Sequence, residues 1–192
     1  MATRSGSPIH FLGLNAAGQK FWLGGETASY CPENIVKNCP PGNQTVLAPG
    51  GSALVSPVPQ VIHSFPFPLF LPLYFPCKKN LTIYQDTSVP GGQRVYVDPN
   101  GALSFTQAHS ASIPEGSSLG PFEYNAAEPW SHYSFNGWGS SGFMACPADG
   151  GRWQVFAALG NATVPQGNVD DCLGFSAIAL PYSGETPAWQ YI

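Results

Sequence analysis

The chain has 192 residues, 43% of them hydrophobic and only 9% charged, with a net charge of −4 at pH 7. Soluble proteins carry roughly 25% charged residues. The groups that bind water on this surface must therefore be mostly uncharged polar side chains and backbone, as in secreted or wall-associated proteins. With only 7 Lys and Arg residues there is no basic patch, so we expect neither nucleic acid nor a membrane as a partner. We also expect no cofactor.

Short β-rich runs separated by Gly, Pro and Asn follow one another along the chain, and no long stretch shows a helical apolar period. The clearest hairpin spans 94–105, where Val95 and Val97 alternate with polar-face residues and Asn100-Gly101 supplies the turn. The predicted strands are Ile9–Leu14, Lys20–Leu23, Thr45–Ala48, Arg94–Val97, Leu103–Gln107, His132–Asn136, Phe143–Ala145, Gln154–Leu159 and Phe175–Leu180.

This pattern predicts an all-β fold, a single antiparallel β-sandwich or barrel spanning residues 1–192, because such architectures bury one face of each strand and manage their edges. Weak similarity between the two halves of the chain leaves a β-trefoil as the alternative.

Four of the five cysteines lie in turn-like polar contexts, which favours a disulfide framework. Loop lengths favour the pairs Cys31–Cys39 and Cys146–Cys172, one of three connectivities for four cysteines. The fifth cysteine, Cys77, is predicted to be a free thiol.

Three N-glycosylation tripeptides begin at Asn43, Asn80 and Asn161. Together with the cysteines, those at Asn43 and Asn161 favour secretion. No apolar core follows Met1, so we expect a mature form from which a leader has been removed.

The stretch from Val55 to Gln85 is rich in Pro, Phe and Leu and unlike the rest of the chain. Val55-Ser56 can be encoded by the preferred start of an intron, and the codons for Ile83-Tyr84-Gln85 can end one. We therefore interpret residues 55–85 as an insert, a translated retained intron that is flexible or loosely packed. It contains Cys77 and Asn80, and its proline-broken part from Phe65 to Phe75 favours mobility or aggregation.

Motifs for catalysis or metal binding are absent from the sequence: it has no G-x-S-x-G, H-E-x-x-H, C-x-x-C or phosphate-binding loop. His10, His109 and His132 are dispersed, which argues against a metal site. Glu123 and Glu128 are the weak candidates for a glycosidase, which needs two carboxyl groups across a cleft. Asp98 and the pair 170–171 are interpreted as turn residues.

Aromatic residues crowd the Gly- and Ser-rich stretch 122–138. Exposed Trp and Tyr side chains bind sugars and partner proteins, whereas buried ones fill the core. Flanking Pro and Gly residues make Trp130 and Trp138 the best candidates for exposed contacts, and we predict a binding surface formed by Trp130, Tyr133 and Trp138.

Several runs together resemble the fungal secreted proteins known as IgE-binding or PhiA-like cell-wall proteins. They are Ser5–Phe11, Ala17–Trp22, Tyr30–Pro32, Cys39–Thr45, Val89–Val97, Gly101–Ser110, Gly142–Pro147, Asp171–Phe175 and Ala188–Tyr191. The resemblance covers nearly the whole chain except 55–85.

The resemblance implies a secreted, wall-associated fungal protein that antibodies or plant immunity recognise as an allergen or elicitor. It carries over no catalytic residues. The leading hypothesis is a non-enzymatic surface protein that acts in wall or conidial development and contacts host extracellular proteins. A glycan-binding module is the second hypothesis, and a carbohydrate-active hydrolase is the third.

Overall fold

The computed structural model describes residues 1–50, 80–127 and 129–192. These residues form 14 β-strands and three short 3-10 turns, at Gly137–Gly139, Asp149–Gly151 and Val169–Asp171. The described residues include no helix of the length and apolarity that crossing a bilayer requires. The strands are β1 (Ala2–Thr3), β2 (Leu14–Ala17), β3 (Lys20–Leu23), β4 (Ser29–Tyr30), β5 (Leu47–Gly50), β6 (Asn80–Gln85), β7 (Gln93–Val97), β8 (Leu103–Phe105), β9 (Phe122–Asn125), β10 (Ser131–Phe135), β11 (Phe143–Pro147), β12 (Trp153–Ala157), β13 (Leu173–Ala179) and β14 (Gln190–Tyr191).

Nine of these strands pair around a closed ring in the order β13-β10-β9-β6-β7-β8-β3-β12-β11. Strand β13 closes the ring because its first half pairs with β11 and its second half pairs with β10. Strands β1, β2 and β5 are not part of the ring and pair with β13, β3 and β6, respectively. Every pairing is antiparallel. The predicted all-β, antiparallel sandwich or barrel is therefore confirmed.

Alternating side chains from these strands form the hydrophobic core. Phe21 and Phe105 are fully buried and meet edge to face at 5.4 Å between ring centroids. Phe122 and Phe135, on the neighbouring strands β9 and β10, are also fully buried, at 5.2 Å. Burial of a large apolar side chain contributes about 1.5–3 kcal/mol, so these four rings are a principal source of stability.

A second, smaller cluster lies on the outer face of β11 and β12, where Met144, Cys146 and Phe156 are buried under the segment that leads to β13. The disulfide between Cys146 and Cys172 joins this segment to β11. The other disulfide joins Cys31 and Cys39 within one loop. Both predicted disulfides are formed, and each stabilises the fold by roughly 2–4 kcal/mol by restricting the unfolded chain.

Two buried glutamines face each other across β6 and β7, and their surroundings differ. Gln93 donates to the carbonyl oxygens of Thr106 (2.9 Å) and Tyr191 (3.0 Å) and accepts from the Tyr191 N–H (2.8 Å), which ties β14 to the barrel. Gln85, its cross-strand partner, has neither side-chain polar atom hydrogen-bonded within the described residues.

The predicted insert 55–85 is only partly described. Its last six residues form β6, which pairs with β5, β7 and β9, and Ile83 is buried. Residues 55–79, with Cys77, lie outside the described residues. The origin of the segment stays a prediction.

The predicted strand Ile9–Leu14 is wrong, because residues 7–12 form turns. The N–H groups of His10 and Leu12 bond back to Ser7 and Ile9, and Phe11 has a φ of 64°. Strand β2 begins only at Leu14. Strands β6 and β9 were not predicted, since β6 follows a proline-rich run and β9 lies in a loop-like stretch.

Candidate functional site

The three residues of the predicted binding surface do not lie together. Trp130 immediately precedes β10, and Trp138 follows it after two residues. At about 3.3 Å per residue, the five residues of β10 span about 17 Å between the segments that carry the two tryptophans. Trp130 is 41% exposed and Trp138 is 48% exposed, so both are surface aromatics, but they belong to different ends of the barrel.

Tyr133 lies between them on β10 and contributes to the core rather than to the surface. It packs against the core cluster and meets Tyr124 at 5.1 Å between ring centroids. Burial raises the pKa of Tyr133 to about 12, and the neighbouring Tyr124 adds to the rise.

Trp138 lies at the centre of a tight turn, Gly137–Gly139, which we call the Trp138 turn. Its backbone adopts φ 56° and ψ 23°, in the left-handed region. A bulky residue there costs about 1–3 kcal/mol and persists only when the surroundings impose it. Backbone strain of this kind clusters at binding and active sites, which makes Trp138 a candidate binding residue.

The surroundings of the Trp138 turn supply this constraint. The Trp138 ring meets the fully buried Phe135 ring edge to face, at 5.9 Å and 78°. A Cβ atom on Gly137 would lie 2.5 Å from Phe135, so only glycine fits there. Beyond the turn, the Ser140 N–H donates to the Gly137 carbonyl oxygen at 2.9 Å, and the Ser140 hydroxyl donates to the Gly142 carbonyl oxygen. The indole is therefore presented on a rigid base.

Trp138 borders a surface cavity of about 240 Å³, which we call the Trp138 cavity. Its other walls come from two turns that pack together and from the loop after β8. The cavity is lined by Pro99, Asn100, Gly101, Gly116, Trp138, Leu159, Asn161 and Ala162.

The hairpin turn between β7 and β8, one wall of this cavity, is fixed by Asp98. Its Oδ1 accepts from the N–H groups of Asn100 (2.9 Å) and Ala102 (3.0 Å), while its Oδ2 lies 2.5 Å from Lys20 Nζ. The Lys20 ammonium also donates to Ser104. Gly101 has a φ of 89°, as the last residue of a three-residue hairpin loop requires. The prediction that Asp98 serves a turn is confirmed.

The candidate catalytic carboxylates do not form a site within the described residues. Glu123 is half-buried on β9 and makes no hydrogen bond or ion pair there, and Glu128 lies outside the described residues. Asp171 accepts from the Asn168 N–H at 3.0 Å and, with Asn168, caps a short turn. The turn interpretation of residues 170–171 is confirmed.

The histidines are equally separate. His10 Nδ1 accepts from the Arg4 N–H at 3.2 Å, and the ring stacks on Phe11 at 3.8 Å. In the part of the chain that the structure describes, no group of three or more His, Cys, Asp or Glu side chains is placed to hold a metal ion.

Of the three glycosylation tripeptides, those at Asn43 and Asn161 have exposed acceptor residues. Asn161 lines the Trp138 cavity, which the sequence did not indicate. Phe135 and Gly137 were also missed as parts of the site; the spacing Phe-Asn-Gly-Trp-Gly was the available signal. The side chain of Asn80 lies outside the described residues.

Comparisons with known proteins agree with the resemblance. The PhiA-like secreted protein family matches residues 73–192, more than half of the chain. The match begins within the predicted insert. A protein of Arthroderma benhamiae, described as an uncharacterized secreted protein, is 43% identical over 183 residues, which cover 94% of this chain and 77% of the relative. No solved structure matches the chain. The chain is therefore a secreted protein that belongs to the PhiA-like secreted protein family.

Proposed function

We propose that this protein acts by binding rather than by catalysis. It is a fungal surface protein that contacts host extracellular proteins, such as antibodies or defence proteins, through the Trp138 turn. It contributes to wall or conidial development. The secreted family and the exposed aromatic site support this proposal.

The geometry of Trp138 carries the proposal. Tryptophan is among the residues that most often dominate binding energy at interfaces. A rigid anchor loses little conformational entropy on association. Trp138 combines 48% exposure with a left-handed backbone held by Phe135 and Gly137, so its indole is prepared for contact before a partner arrives.

The use of the ionisable groups supports a non-enzymatic role. Asp98, Lys20 and Asp171 are engaged in turns and in an ion pair that hold the backbone. The family is not known as enzymatic. A general acid or base must reach a substrate proton, whereas Asp98 and Asp171 accept from the chain's own backbone N–H groups and Lys20 donates to Asp98 and Ser104.

The test uses immobilised protein produced without N-linked glycans, together with host extracellular fluid or antibody-containing serum. We expect saturable capture of host proteins that Trp138→Ala reduces at least tenfold, the loss that corresponds to about 1.4 kcal/mol. Trp130→Ala, an equally exposed tryptophan at the other end of β10, is the matched control and should bind as the parent does. Equal binding by both variants would refute the assignment of the surface.

The Trp138 cavity favours glycan binding as the second candidate. Its volume of about 240 Å³ is below the range of about 300–1,000 Å³ that drug-sized ligands occupy, so it suits one sugar residue. An indole face and the amide of Asn100 are suitable partners for a sugar ring.

An array of cell-wall glycans separates the two candidates. Saturable binding that Trp138→Ala and Asn100→Ala abolish, without capture of host proteins, would favour the glycan. Capture of host proteins with no glycan signal would favour the protein partner.

A further inference from the structure

Asn161 and Trp138 line the same small cavity although 23 residues separate them in the chain. Asn161 is exposed and begins the tripeptide Asn161-Ala162-Thr163, the acceptor sequence for N-linked glycosylation. A sugar attached to the Asn161 amide would therefore leave the protein directly beside the exposed indole.

The turn that carries Asn161 is held firmly against the β7–β8 hairpin. The Thr163 N–H donates to the Asn100 carbonyl oxygen at 2.9 Å, and the Ala157 N–H donates to the Gly101 carbonyl oxygen at 2.9 Å. A Cβ atom on Gly101 would lie 3.1 Å from the Ala162 Cβ, so the two turns are in close contact. The position of Asn161 at the edge of the cavity is consequently fixed.

We propose that Asn161 carries an N-linked glycan whose first sugar residue packs on Trp138. In the modification, the Asn161 amide nitrogen forms a bond to C1 of the first N-acetylglucosamine of a polyisoprenyl-pyrophosphate-linked oligosaccharide. The bond between C1 and the pyrophosphate oxygen breaks, the lipid pyrophosphate leaves, and the amide gives up one proton. No electrons are exchanged with an oxidant or reductant.

The chemistry of the two groups suits this contact. One face of a sugar ring presents C–H groups, and the face of an indole is apolar with a partial negative charge, so the two stack while the hydroxyl groups stay hydrated. The cavity of about 240 Å³ holds one such residue. The remaining sugars extend into solvent.

This contact has a consequence for the surface assigned above. A glycan on Trp138 covers the indole, so occupancy of Asn161 regulates access to the Trp138 turn. This second step rests on the proposed function, whereas the packing of the sugar does not.

Asn43 provides an internal control. It is exposed and begins the tripeptide Asn43-Gln44-Thr45, but it does not line the Trp138 cavity. A glycan there should leave Trp138 unaffected.

The test begins with the full chain secreted from a glycosylating fungal host and peptide mass spectrometry of each acceptor. Accessibility of Trp138 is then measured as acrylamide quenching of tryptophan fluorescence, with Trp138→Phe subtracted. We expect Asn161 to be occupied. Asn161→Gln and Thr163→Ala should both increase quenching of Trp138, whereas Thr163→Ser, which keeps the acceptor sequence, and Asn43→Gln should not.

Enzymatic trimming identifies the sugar residue responsible. An endoglycosidase that leaves the first N-acetylglucosamine should leave quenching unchanged, and an amidase that removes the whole glycan should increase it. An unoccupied Asn161, or equal quenching with and without the whole glycan, overturns the proposal. Because no partner is present, these outcomes are independent of the binding test. If the sugar protects Trp138 but Asn161→Gln captures no more host protein than the parent, the regulatory step is wrong.

Discussion

The two ends of β10 each carry an exposed tryptophan, but only one of them is built into a site. Trp138 lies in a strained turn supported by Phe135 and Gly137, at the edge of a cavity. Trp130 follows Pro129, has no strained backbone and has no aromatic ring stacked on it within the described residues. The two tryptophans are thus similarly exposed, but only Trp138 is held in place by neighbouring residues.

This difference shows why exposure alone does not identify a binding residue. Single exposed apolar side chains are normal on protein surfaces, so Trp130 requires no functional explanation. The Trp138 turn does, because its left-handed backbone costs free energy that the packing of Phe135 must offset.

Removal of the Phe135 ring should lower the free energy of unfolding more than any other change proposed for this region. Phe135→Ala removes a fully buried ring that contacts both Phe122 and Trp138, and we expect a loss of about 3–5 kcal/mol in the free energy of unfolding. Urea denaturation followed by circular dichroism measures it. Trp130→Ala should change the same quantity by less than about 0.5 kcal/mol. Similar losses for both would remove the contrast between the two ends.

The middle of β10 and the C-terminal strand should make the fold sensitive to alkali. Burial raises the pKa of both Tyr133 and Tyr191 to about 12, above the ordinary value of about 10. Their neutral forms therefore stabilise the folded state below pH 10, and this contribution is lost as the pH rises from 10 to about 12. Urea midpoints measured across this range should fall, and less steeply in Tyr133→Phe. A flat profile would contradict the buried position of these rings.

Gly137→Ala should lower the free energy of unfolding by an intermediate amount, about 1–3 kcal/mol, because the new methyl group meets the buried Phe135 ring. Gly160→Ala is the matched control, since a Cβ atom there meets nothing within 4 Å and its φ is not positive. Thermal unfolding of the two variants measures the difference. If both melt alike, the Trp138 turn is not held by contact with Phe135.

Trp138→Gly should have the smallest effect on stability, a net change within about 1 kcal/mol. Glycine relieves the left-handed strain, while loss of the edge contact with Phe135 removes about 0.5–1.5 kcal/mol. Urea denaturation tests this near-cancellation. A large destabilisation would mean that Trp138 is a structural residue.

Much of the fold follows from sequence pattern, because strand alternation and the Asn100-Gly101 turn depend on neighbours in the chain. Cysteine spacing likewise predicts both disulfides correctly. Strands β6 and β9 pair with the next strands along the chain, β7 and β10, but the proline-rich run before β6 and the loop-like composition around β9 hide them. Gln93 depends on a distant partner, because its polar side chain is buried where it bonds Thr106 and Tyr191.

The site was only partly predictable for the same reason. Flanking glycines indicate a turn at Trp138, but nothing local indicates that Asn161, 23 residues away, lines the same cavity. The grouping of Trp130, Tyr133 and Trp138 relied on their closeness in the sequence, whereas 131–135 form a strand that separates the two tryptophans.

Measurement of ¹⁵N relaxation at the two indole N–H groups shows whether Trp138 is held rigidly while Trp130 is mobile. We expect an order parameter near that of rigid backbone, about 0.85, for Trp138 and below about 0.6 for Trp130. Equal, low order parameters for both indoles would contradict this expectation.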